Sequence, residues 1–115
     1  MERLPIGSVT FHLVPYPDGT GAKRRPALVL GKVNEAEYWL LEITSQTLLH
    51  ACGVRVESSD FEWGGLRRSS QVRCDRILTA HESLLRLPEG QLKSSMLSVI
   101  LDRVHSLIPQ SPTAQ

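Results

Sequence analysis

Apolar and polar residues alternate from Ser8 to Leu13, with Val9, Phe11 and Leu13 on one face and Ser8, Thr10 and His12 on the other. That period of two predicts a half-buried strand over 7–14, its polar face toward solvent. Residues 15–21 then bring two prolines and two glycines, which cannot continue a ladder. The apolar run Ala27–Leu30 predicts a central strand, and Tyr38–Thr44, rich in aromatic and β-branched residues, predicts another that buries Trp39. Residues 45–53 read as a loop, and Gly53–Glu57 alternates again. Trp63-Gly64-Gly65 marks a turn, with the tryptophan packed against the end of the domain. The next strand, Ser70–Leu78, sets Val72 and Cys74 on one face and Arg73, Asp75 and Ile77 on the other.

The period changes in the last third. Leu92, Met96, Val99, Ile100, Val104, Leu107 and Ile108 recur at helical spacing and predict a helix over 88–108. Pro88 suits its first position, Glu89 its dipole, and Pro109 its end. Residues 109–115 are expected to form a flexible tail. Leu97 and Leu101 widen the apolar face beyond one contact, so the helix is expected to bury a second side, as in a homodimer. Five or six short strands followed by one helix make a mainly β domain over 1–108, a small bent barrel capped by the helix.

Composition narrows the function. The chain has 115 residues, 41% hydrophobic and 22% charged, as expected of one folded domain. A net charge of +1 argues against a nucleic-acid coat protein. No apolar run reaches the ~18 residues of a membrane span, and no signal peptide is evident, so no membrane partner is expected. The two cysteines form no CxxC, and the four histidines form no zinc-type pair. This predicts a cytoplasmic protein with reduced thiols, no metal and no cofactor.

Three segments carry a resemblance. They are Gly7 with its strand leading to Lys23-Arg24-Arg25-Pro26-Ala27-Leu28-Val29-Leu30; Ile43-Thr44-Ser45-Gln46; and Ser70-Gln71-Val72-Arg73-Cys74-Asp75-Arg76-Ile77. In this order and spacing the chain resembles the PemK/MazF toxins of toxin–antitoxin systems, from about Gly7 to Ile108. The resemblance implies an SH3-like barrel and usually a homodimer. It implies metal-independent cleavage of single-stranded RNA, often messenger RNA, leaving a 2′,3′-cyclic phosphate and a 5′-hydroxyl. It also implies a cognate antitoxin whose C-terminal segment occupies the RNA groove.

Such cleavage needs a base for the 2′-hydroxyl, a clamp for the dianionic phosphorane and a proton for the leaving 5′-oxygen. The resemblance assigns catalytic roles to Arg25, Thr44, Arg73 and Asp75. Arginine suits the clamp, its planar fork matching two phosphate oxygens. Pro26 biases Arg25 toward extended backbone. Thr44 is positioned to bind a phosphate oxygen or the 2′-hydroxyl, Asp75 to act as base and Arg73 as acid or clamp. Lys23, Arg24, Ser45, Gln46, Arg68 and Arg76 are expected to bind RNA. The loop before Arg25 lacks the histidine or glutamate that relatives carry, leaving Asp18 as its only carboxylate and the base open. His12 reads as a surface histidine without a role, and Cys74 as a buried apolar residue. Two other readings use the same barrel: a gyrase poison of the CcdB type, and a degenerate toxin-like domain without catalysis.

Seven of the 13 cations, Lys23, Arg24, Arg25, Arg67, Arg68, Arg73 and Arg76, fall around these segments. A near-neutral total is thus compatible with a local basic groove.

Overall fold

The alternation near the N-terminus does produce a strand, β1 (Ser8–Pro15), and six more join it in one antiparallel sheet. They are β2 (Ala22–Lys32), β3 (Glu37–Thr44), β4 (Gly53–Val56), β5 (Phe61–Gly64), β6 (Ser70–His81) and β7 (Gly90–Leu92). The only α-helix among the described residues, α1, spans Ser94–Leu107. The computed structural model describes residues 4–109. All but the first residue of the expected 109–115 tail lies outside them.

The strand order is β4-β6-β3-β2-β1-β7-β5, a bent half-barrel whose hollow α1 fills. The expected β-rich barrel with a C-terminal helix is therefore the fold. Ile100 and Val104 of α1 pack with Val9, Leu28, Leu41, Ile43, Val72 and Cys74. A second cluster, with Ala27, Val29, Tyr38, Leu40, Ala80 and Leu85, covers the opposite face. Alternation along β2 divides its apolar run between the two: Leu28 faces one core, Ala27 and Val29 the other. Tyr38 anchors the second core by accepting a hydrogen bond from the Leu4 amide at 3.0 Å.

Several expectations are corrected, beginning with the strand count, which is seven rather than five or six because 61–64 and 90–92 are also strands. The helix starts at Ser94, not Pro88, because 89–92 pairs with the free edge of β1: the Glu89 amide donates to Val9 O and the Leu92 amide to Gly7 O. Leu92 mimics helical spacing but is a core residue of a strand. Residues 61–64 pair with β7 as β5 rather than forming only a turn. Gly64, at φ +66°, makes this possible, since a Cβ there would run into Glu89 O. Trp39 and Trp63 are about half exposed, at 46% and 53%, because both lie beyond the surfaces that α1 and the second core cover.

The polar face of β1 is not solvated either: Ser8 and Thr10 are fully buried. Residues 85–91 run along that strand and Thr10 Oγ1 donates to Arg86 O at 2.6 Å, while Ser8 Oγ donates to Pro5 O just before the strand. No helix among the described residues is long and apolar enough to cross a membrane.

Candidate active site

The ladder places three chemically useful side chains together. His12 on β1 stands opposite Arg25 on β2, and Ala27 on β2 stands opposite Glu42 on β3. Opposed residues, and residues two apart, share a face, so His12, Arg25 and Glu42 project to the same side. They line a cleft of about 520 Å³ walled by Leu13, Leu78 and Leu84. Thr44 follows Glu42 by two on the same strand, outside the cleft lining, opposite Gln71 of β6. Its hydroxyl accepts the Gln46 amide at 3.4 Å.

His12 is only 6% exposed, and its Nε2 has no hydrogen-bond partner among the described residues. The expectation of a surface histidine is thus overturned, because Leu85 bridges to it across the edge of β1. Burial pushes its pKa below 6.5; the Glu42 charge opposes this and Arg25 adds to it. Glu42 is half-buried and makes no hydrogen bond or ion pair among the described residues. It belongs to none of the three segments that carry the resemblance. The available signal was one charge inside the apolar strand Tyr38-Trp39-Leu40-Leu41-Glu42-Ile43.

Arg73 and Asp75 lie on a bulge opposite Glu42, outside the cleft lining. Between the pairs Leu41–Ile77 and Ile43–Val72, β3 supplies Glu42 alone and β6 supplies Arg73, Cys74, Asp75 and Arg76. Arg73 grips Asp75 with two parallel bonds, Nε to Oδ1 at 2.9 Å and Nη2 to Oδ2 at 2.8 Å. The guanidinium holds the Asp75 carboxyl below its ordinary range. Asp75, with a smaller contribution from Glu42, holds Arg73 above its own. The field of Glu42 thus reaches both His12 and Arg73. Cys74 faces the core as expected, and burial pushes its thiol up to about 11.

The other expected RNA contacts divide. Lys23, Arg24, Ser45 and Arg68, joined by Arg67, line a trough of about 650 Å³, with Glu89 the only acid among its described lining residues. Arg24 lies on the opposite face of β2 from Arg25, so trough and cleft flank one strand. Arg76 is exposed on the bulge, outside the trough lining. Gln46 belongs to the next loop, where its carbonyl accepts from Gln71 Nε2.

That loop is pinned from three elements. Buried Gln71 of β6 accepts the His50 amide and donates to Gln46 O and Leu48 O. Arg55 of β4 donates to Thr47 O at 2.7 Å, and Arg103 of α1 to Ala51 O at 2.8 Å. The loop brings His50 and Cys52 to Asp75, with their potential donor atoms all within 4.8 Å of one another. Among the described residues this is the one group with metal-ligand chemistry, assembled from segments whose spacing in sequence shows no motif.

No family model matches the chain, and no curated protein matches it in sequence. Solved structures do match in shape. A MazE–MazF structure from Deinococcus radiodurans gives a TM-score of 0.78 at 18% identity, covering 96% of this chain and 100% of that one. A mycobacterial endoribonuclease in complex with its cognate antitoxin gives 0.67 at 18%, with the same coverage. The toxin MazF-mt6 of Mycobacterium tuberculosis gives 0.61 at 22%, covering 84% of this chain and 92% of that one. The resemblance met in three short sequence segments extends in three dimensions over nearly the whole chain, which has the fold of the MazF toxins.

Proposed function

We propose that the protein is an endoribonuclease toxin that cleaves single-stranded RNA to a 2′,3′-cyclic phosphate and a 5′-hydroxyl, and that a cognate antitoxin neutralises it. The observation that carries this reading is the cleft itself, where Arg25 and an unpaired carboxylate, Glu42, share one face beside the Arg73–Asp75 bulge. Glu42 takes the 2′-hydroxyl proton as the 2′-oxygen attacks phosphorus. Arg25 and Arg73 offset the charge that develops on the phosphorane oxygens. The P–O5′ bond breaks, and the 5′-oxygen takes a proton from solvent at the open mouth of the cleft. Buried, uncharged His12 leaves the Glu42 charge unquenched. Asp75 holds Arg73 in place, because both its oxygens are engaged. Thr44 stands at the rim to bind a phosphate oxygen. The Lys23–Arg24–Arg67–Arg68 trough carries the flanking backbone and is equally suited to an acidic antitoxin segment. Val99 and Ile108, about half exposed on and after α1, supply apolar surface for a homodimer.

The test is incubation of the protein with a diverse single-stranded RNA pool in EDTA, with mapping of both product ends. Cyclic-phosphate and 5′-hydroxyl ends are expected. Glu42→Gln should lower the rate by roughly 10²–10⁴-fold, and Arg25→Ala by at least about 10²-fold, with circular dichroism unchanged. Intact RNA, or a Glu42→Gln protein at the parent rate, refutes the reading.

A further inference from the structure

His50 and Cys52 serve no step above and Asp75 enters there only by holding Arg73; the three offer one nitrogen, one sulfur and one oxygen donor. From this we infer that the protein binds one Zn²⁺ per chain through these three side chains, with water in the fourth position. A thiolate beside an imidazole selects zinc over magnesium or calcium, which take oxygen donors. Three protein ligands and one open position are a familiar zinc arrangement.

Distances decide whether the residues can close on an ion. Tetrahedral zinc, with bonds of about 2.0–2.3 Å, sets its donor atoms roughly 3.3–3.8 Å apart. The three donors here lie within 4.8 Å, so closure takes about 1 Å. Exposed His50 and half-buried Cys52 supply it by side-chain rotation, because the backbone between them is already pinned by Gln71 and Arg103. Arg73 occupies one lone pair on each Asp75 oxygen, leaving the others for the ion and fixing the carboxylate as an outer-shell partner does.

Two changes accompany binding. The Cys52 thiol gives its proton to solvent. The hydrogen bond from the Cys52 amide to His50 Nδ1, 3.0 Å long, is given up whichever ring nitrogen takes the ion. At Nδ1 the lone pair is used directly; at Nε2 the ring proton must move to Nδ1. A single neutral hydrogen bond is weak beside three zinc–ligand bonds.

The experiment uses the full chain purified with chelator and titrated with Co²⁺, whose thiolate complexes absorb in the near ultraviolet, then with Zn²⁺ in competition. Expected are one equivalent of Co²⁺, a thiolate band that Zn²⁺ abolishes, and a rise in melting temperature with Zn²⁺. Cys52→Ser should remove the band, and His50→Gln should weaken binding more than about tenfold. The absence of a thiolate band in the parent protein overturns the proposal, as does a band that survives in Cys52→Ser, or Zn²⁺ affinity unchanged when Cys52→Ser and His50→Gln are combined. Neither readout depends on RNA cleavage, so the zinc site and the ribonuclease reading stand or fall separately.

Discussion

Gln71 should be among the most sensitive polar positions in the chain. Its side chain is fully buried, and its amide makes all three hydrogen bonds that tie the 46–50 backbone to β6. Gln71→Met preserves length and approximate volume while removing the three bonds. At ~1 kcal/mol net for each neutral bond, the loss is roughly 3 kcal/mol. The freed Gln46 and Leu48 carbonyls lie in an exposed loop and recover water, which keeps the cost near that figure rather than at the full penalty for buried orphans. Against a typical domain stability of about 5–15 kcal/mol, this is a large fraction. Urea denaturation of both proteins gives the difference, and hydrogen exchange at the His50 amide locates it. Gly53 supplies an internal control. A Cβ there would overlap Gln71 Oε1, so Gly53→Ala should be costly in the parent and much less so beside Gln71→Met. A Gln71→Met loss below about 0.5 kcal/mol, with His50 exchange unchanged, would show that the loop is not held this way.

Other positions give independent checks. His12 has a lowered pKa in the folded chain, so the unfolded chain binds its proton first as pH falls; stability should drop below pH 6.5 and level off under the folded value. Urea midpoints against pH should show this for the parent and not for His12→Asn. Gly64→Ala combines a positive φ with a collision at Glu89 O and should cost more than about 2 kcal/mol by the same assay; a neutral result refutes the tight β5–β7 approach. Ile100→Ala opens the core under α1 and should cost about 2–5 kcal/mol. Arg68→Gln should lower the salt dependence of RNA affinity by about one unit of slope, uniformly across sequences; an unchanged slope removes Arg68 from the backbone path.

What was legible in the chain follows from which signals are local. The alternation of β1, the apolar run of β3 and the Arg-Pro step of β2 are local, and each lies where the pattern places it. β7 was hidden because Gly90-Gln91-Leu92 follows a proline suited to a helix start, and because Leu92 lies four residues before Met96. Only the free edge of β1 reveals its partner. His12 departs from the pattern because alternation assigns polar residues to solvent, whereas this sheet buries both faces. Glu42 carries no motif. Its importance comes from a register shift that sets four residues of β6 against it. Asp75 meets His50 and Cys52 only after β6 has folded beside the loop, a proximity that no spacing rule records.

That register shift separates two requirements that usually compete. The ladder with β3 is closed at Leu41–Ile77 on one side of the bulge and at Ile43–Val72 on the other; within the bulge Cys74 packs into the core and Arg73 pairs with Gly53 of β4, while Asp75 and Arg76 are exposed. Asp75 and Arg76 can therefore change in chemistry without re-registering the sheet. Selection acting on the surface beside the cleft can therefore rewrite the middle of β6 at these two positions while the scaffold inherits its shape.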